Sequence, residues 1–204
     1  DAYAGLVFDD EVPRESVFWE IGGIHENLVP VKIDGGTKEF SFFGGRVGFI
    51  TFPFEPESEI AEALTSKVKC LVRAAIGSPV ATTQMVLAHT LRDPEVADQV
   101  ETIRLLLENR YRVLRRALET VDSDLLVPLP FNSGCFALIE LGPEVDADAH
   151  TVRRRLLDEH DTGVVAIGEH YLRIAFCSVR ASDLAEVVTR LERGVRELAG
   201  RGAV

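Results

Sequence analysis

From Glu95 to Thr120 the apolar residues Val100, Ile103, Leu107, Tyr111, Leu114 and Leu118 recur at intervals of three and four, the period of a helix with one buried stripe. A helix of that length often bridges two domains, and the pattern differs on its two sides. Before it, two β-rich runs, Leu28–Ile33 and Val47–Phe52, flank a connection holding Gly35, Gly36, Gly44 and Gly45, and helical stretches follow over 57–76 and 81–91. After it come a strand-like run at 135–141, a basic-faced helix at 147–160, two further strand runs at 163–167 and 171–176, and an amphipathic helix at 182–198. Strand, helix, two strands, helix is an α+β layer able to close around its own core. The reading divides the chain at 1–95, 96–120 and 121–204. Residues 1–9 read as a strand leaving a sheet, and 15–24 as a short helix closing at Gly22-Gly23.

Composition removes several classes of function. With 33 acidic against 22 basic residues the net charge is −11, which argues against a broad phosphate-binding surface for nucleic acid. No run of eighteen apolar residues offers a membrane span, and the first residues lack the basic start and apolar core of a signal peptide. Cys70, Cys135 and Cys177 are odd in number and far apart in apolar stretches, a pattern of reduced, buried thiols in a cytoplasmic protein. No His, Cys and carboxylate cluster shows metal-ligand spacing, so no metal site is assigned.

The glycine-rich connection between two strands, read as buried, is where backbone can approach a ligand closely. It carries Thr37, Lys38 and Arg46. Taken singly, a lysine or arginine in such a loop is a solvated side chain. Arg173 differs, because it is centred in the apolar run Tyr171-Leu172-Arg173-Ile174-Ala175-Phe176. Burying that charge is costly unless an anion meets it; the alternative is an edge-strand arginine paired with Glu140 or Asp158. Arg73 precedes Gly77-Ser78-Pro79, where a structural helix-end role is the simpler reading.

Strand, Asp34-Gly35-Gly36-Thr37-Lys38, then Gly44-Gly45-Arg46-Val47-Gly48 and a second strand resembles the fold-type I pyridoxal-phosphate enzymes, class I/II aminotransferases. In that family an arginine in a G-x-R-x-G context follows the cofactor lysine by eight residues, the separation of Lys38 and Arg46 here. The resemblance implies that Lys38 holds pyridoxal 5′-phosphate as a Schiff base and later moves the substrate α-proton. Arg46 is implied to pair with the cofactor phosphate, a task suited to a guanidinium fork. Asp1-Ala2-Tyr3-Ala4-Gly5-Leu6 resembles the D-x-A-Y-x-G-L segment, whose tyrosine bonds the cofactor 3′ oxygen; that assigns Tyr3. The acid that pairs with the pyridinium nitrogen would precede Asp1, leaving Asp1 as its neighbour. Gly35 stands where a phosphate-touching serine is common, and Thr37 could supply the hydroxyl instead. Arg173 resembles the arginine that clamps the substrate α-carboxylate, and Arg73 one that reaches a substrate side-chain carboxylate across the dimer in aspartate-type members.

The implied fold is α/β, the C-terminal part of a large cofactor-binding domain followed by a small α+β domain, about half of a complete aspartate aminotransferase-like enzyme. The implied activity is amino transfer between an amino acid and a 2-oxo acid, in a homodimer. A lyase or decarboxylase on the same scaffold, or the aminotransferase-like sensor domain of a bacterial transcription regulator, stand as alternatives, since fold does not fix reaction.

Overall fold

The computed structural model describes residues 2–199; the expectation placed on Asp1 lies outside them. Two compact units divide between Thr102 and Ile103, inside the long helix. Among the described residues no helix is long and apolar enough to cross a membrane.

The first unit opens with a 3₁₀ turn, Ala4–Leu6, and a short helix α1 (Phe18–Ile24). Strands β1 (Lys32–Gly35) and β2 (Gly48–Thr51) pair antiparallel, from Lys32 opposite Thr51 to Gly35 opposite Gly48. Between them lies a single helical turn α2 (Gly36–Glu39). Helix α3 (Glu59–Ile76) begins where the Ser58 side chain accepts a hydrogen bond from Ala61 N–H, and it has Glu59 and Glu62 in its first turn and Arg73 in its last. These are the charges a helix dipole favours at each end. It stops at Gly77, whose φ of 79° ends the helical path. Helices α4 (Ala81–Thr90) and α5 (Glu95–Leu118) follow.

In the second unit β3 (Leu126–Pro128), β4 (Phe136–Leu141), β5 (Val165–Ile167) and β6 (Tyr171–Ala175) form one antiparallel sheet in the order β3-β4-β6-β5. Alternate residues Ala137, Ile139, Leu172 and Ile174 are buried, the period-2 signature of a half-buried sheet. Helix α6 (Ala149–His160) packs on β5 and β6 and against α7 (Leu184–Ala199). Val152 and Leu156 from α6 join Leu184, Val188, Leu191 and Val195 from α7 in the core, each contributing about 1.5–3 kcal/mol of burial for the larger side chains. The Tyr111, Phe131 and Phe176 rings extend that core, with Tyr111 and Phe131 edge to face at 5.3 Å.

The helical periods and the second amphipathic face are found where the sequence places them, within a residue or two at most ends. Other expectations need correction. Residues 2–9 form no strand: Leu6 N–H bonds back to the Tyr3 carbonyl at 2.8 Å, so the segment turns on itself, with a single bridge at Val7. Helix α1 begins at Phe18, three residues later than read, and ends at Ile24. Strand β1 begins only at Lys32 and includes Asp34 and Gly35, read as its stop; Pro30, two residues upstream, has no N–H to give a ladder. The β1–β2 pair is not buried, since Ile33 is 65% exposed and every residue of β2 is exposed. Cys70 is likewise exposed on α3, whereas Cys135 is buried and Cys177 is half-buried. Strand β3 gives no signal in the sequence, because three residues ending in proline carry no period to read.

Candidate active site

The connection between β1 and β2 is closed by its own backbone. Gly36 N–H bonds to the Val47 carbonyl at 3.1 Å, continuing the strand pair, and Phe42 N–H bonds back to the Gly36 carbonyl at 2.9 Å. The Phe42 ring then fills the space over Gly45, where a Cβ would lie 2.2 Å from Phe42 Cε1. Only glycine fits there. Ser41 and Arg46 both adopt left-handed backbone, with φ of 52° and 51°, a conformation that disfavours side chains by about 1–2 kcal/mol.

This folding places Thr37 and Lys38 on α2, half-buried, one turn beyond the end of β1. Lys38 Nζ stands 5.8 Å from the centroid of the Tyr3 ring, so an amine and a phenol thirty-five residues apart in sequence share one spot. Of the four lysines in the chain, Lys32 is tied to Asp34 at 3.1 Å, and Lys67 and Lys69 are exposed on α3. Arg46 closes the connection; its guanidinium is exposed and donates one hydrogen bond, at 3.3 Å, to the Phe43 carbonyl. The Lys38 amine, the Thr37 hydroxyl and the Arg46 guanidinium on one short connection, with the Tyr3 phenol beside the amine, are a donor set that an aldehyde-bearing phosphate ester would use, and these residues fit such a group.

Arg73 stands apart from this set within the first unit's own geometry. It is exposed on the last turn of α3 and donates to the Gly77 carbonyl at 3.4 Å, satisfying one of the orphaned carbonyls at a helix end.

Arg173 belongs to the second unit. It sits on β6, an interior strand, between Leu138 of β4 and Val165 of β5, so the edge-strand reading fails. No described carboxylate lies within ion-pair distance of it, neither Glu140 nor Asp158. Its Nε is enclosed and has no hydrogen-bond partner among the described residues, while its guanidinium carbon lies 4.5 Å from the centroid of Phe136. A half-buried arginine that no described carboxylate meets is an arrangement suited to an anion from outside.

One cluster escaped the sequence. Ligand atoms of Glu159, His160 and Glu197 lie within 4.8 Å of one another. Arg155 Nη2 already reaches both glutamates, at 2.9 and 2.7 Å, and its hydrogen bond to Glu197, followed by the charge of nearby His160, holds the Glu197 carboxyl below its usual range. The cluster is an ion-pair network joining α6 to α7 rather than a cation site. Glu197 is 37 residues from His160, too far for a local motif to show.

The family model for aminotransferase class I and II matches residues 1–191, and the chain belongs to that family. Comparison with curated proteins finds no match. Among solved structures the chain is similar to LysN, the α-aminoadipate aminotransferase of Thermus thermophilus complexed with N-(5′-phosphopyridoxyl)-L-leucine. The TM-score is 0.74 and the identity 22%, over 98% of this chain and 50% of that one. It is also similar to the aromatic aminotransferase of Pyrococcus horikoshii, with a TM-score of 0.73 and 21% identity over 96% of this chain and 50% of that one. A kynurenine aminotransferase from the same organism gives 0.76 and 15%, over 97% and 46%. These likenesses establish the mixed α/β aminotransferase fold. The chain spans about half the length of the solved structures it matches.

Proposed function

We propose that the chain carries the lysine, tyrosine and arginines of a pyridoxal-phosphate-dependent transaminase, which moves an amino group between an amino acid and a 2-oxo acid. The observation that carries this reading is Lys38 Nζ beside the Tyr3 ring, on the same connection that ends in Arg46. Family membership supports it, as does a solved structure of this fold that holds a phosphopyridoxyl amino acid. In this reading Lys38 holds the cofactor covalently through Nζ, the Tyr3 hydroxyl and Thr37 hydroxyl donate hydrogen bonds to its oxygens, and Arg46 pairs with its phosphate. When bound, pyridoxal phosphate supplies an electron sink for charge at the substrate α-carbon. Lys38 Nζ would take the proton from the substrate α-carbon, as a general base must lie within hydrogen-bond reach of the proton it moves. Arg173 takes the substrate carboxylate through its guanidinium fork. Arg73, bonded to its own helix end, contributes to side-chain recognition only for a dicarboxylate substrate. A homodimer in the cytoplasm completes the proposal, in keeping with three cysteines that form no disulfide.

Treating the chain with pyridoxal phosphate and then borohydride is expected to leave a phosphopyridoxyl adduct on Lys38, identified by peptide mass spectrometry. Lys38→Ala should lose it. An adduct spread over Lys32, Lys67 and Lys69, with Lys38 unmodified, would sink the assignment.

A further inference from the structure

We infer that Phe136 is a positioning residue for Arg173: its ring holds the guanidinium plane in place so that the N–H edge is presented to an incoming carboxylate. The inference rests on the reading of Arg173 as the carboxylate site. In the β4–β6 register Leu138 is directly opposite Arg173 and Phe136 is opposite Ala175. Phe136 therefore lies on the same sheet face as Arg173, one diagonal step away, a separation that aromatic side chains span. Ala175, across from Phe136, is too small to compete for the ring.

The flanking residues explain why a ring is needed. Leu138 and Val165 border Arg173 on both sides and offer no acceptor. The Nε is enclosed with no hydrogen-bond partner among the described residues. A cation so placed has lost part of its hydration and must be compensated by something. A neighbouring aspartate or glutamate would compensate it fully, but would also occupy the planar fork that a substrate carboxylate needs. The face of Phe136, 4.5 Å from the guanidinium carbon, offsets the charge through the ring quadrupole and consumes none of the N–H donors. The side chain is thus oriented without being neutralised. A cation held in this way loses less freedom when a carboxylate binds, which is the basis of preorganised recognition.

The test uses the 204-residue chain, with 3-phenylpropionate as the probe, a carboxylate that has no amine to react. The arginine Nε–H signals are followed by NMR, with the Arg173 signal assigned by Arg173→Lys. Saturable movement of that signal is expected in the wild type and in Phe136→Tyr. Phe136→Leu is expected to weaken probe binding about threefold to tenfold with the melting temperature little changed. Should Phe136→Leu fail to fold, Phe136→Met serves in its place. A folded aliphatic variant that binds like the wild type overturns the positioning role while leaving Arg173 as the carboxylate site. If the wild-type Arg173 signal ignores the probe, the carboxylate site itself falls, and this inference with it. The wild type also gives a check that needs no change at Phe136: the Arg173 side-chain protons should carry the upfield shift of a stacked ring before and after saturation. Loss of that shift on binding overturns the role, since the guanidinium would then leave the ring to meet its ligand.

Discussion

Arg46 combines two properties that a single substitution can separate. Its backbone is left-handed, at φ 51°, where glycine is the residue of least strain, and its side chain is exposed with one bond to the Phe43 carbonyl. Arg46→Gly is therefore expected to leave the melting temperature unchanged or slightly raised. It should nevertheless weaken pyridoxal phosphate binding about tenfold or more, the effect of losing a charge-assisted hydrogen bond worth about 1.5–3 kcal/mol. A titration of cofactor absorbance checks this, and unchanged affinity would remove Arg46 from the phosphate site. Keeping a strained non-glycine residue beside Gly44 and Gly45 is the kind of local expense found at functional positions. Much at this scale was visible in the sequence. The spacing of Lys38 and Arg46 and the glycines beside them belong to one short connection. The approach of Lys38 to the Tyr3 ring and of Arg173 to the Phe136 ring is not written in local pattern, because each joins residues about 35 positions apart.

At the scale of elements, two glycines of the second unit mark close approaches of different kinds. A Cβ on Gly142 would stand 2.2 Å from the Asp124 carbonyl oxygen, which is backbone. A Cβ on Gly194, inside α7, would stand 2.7 Å from Leu156 Cδ2, the tip of a flexible side chain on α6. Overpacking commonly destabilises by about 1–3 kcal/mol, and the backbone contact has less room to yield. Gly142→Ala is expected near the upper end of that range and Gly194→Ala near the lower end, with chemical denaturation as the measurement. The reverse order would show that the α6–α7 crossing is the tighter constraint. Helices α3 to α7 were readable in the sequence, α5 and α7 from their apolar period. Strand β3 was not, and neither was the interior place of β6. A strand's neighbours are set by hydrogen bonds to segments dozens of residues away, and its own sequence records only which face is buried.

Across the whole molecule, burial and charge are unevenly spread. In the first unit the buried apolar side chains among the described residues are Leu6, Val7, Phe8, Phe18, Pro30 and Leu87, while Trp19, Phe43, Leu71 and Met85 are exposed. The second unit has a continuous core, and hydrogen bonds hold four of its described carboxyls below their usual range. Hydrogen bonds from Arg112 and then Arg104 hold Glu108 low. The Thr151 backbone N–H does the same for Asp148, the Ser182 hydroxyl for Asp183, and Arg155 for Glu197. A carboxylate whose pKa is depressed by folding stabilises the fold above its unfolded value, and that contribution is lost as pH falls through the folded value. The melting temperature is accordingly expected to be level near neutrality and to fall below about pH 4, where unfolded carboxylates begin to protonate. Glu197→Gln should melt lower at pH 7 and fall less steeply in acid. Equal acid slopes in the two proteins would mean that the Arg155–Glu197 pair has no part in the transition.

The amino-acid sequence by itself carried the class of fold, the helical faces, and the identity and spacing of Lys38, Arg46 and Arg173, since periodicity and short motifs are local properties of a chain. Tertiary structure decided which strands lie inside the sheet, that Tyr3 lies beside Lys38, that Arg155 spans Glu159 and Glu197, and that the Arg173 guanidinium lies over the Phe136 ring. Those outcomes depend on register and on helix crossings between distant segments. They are fixed only when the whole unit buries its apolar faces together.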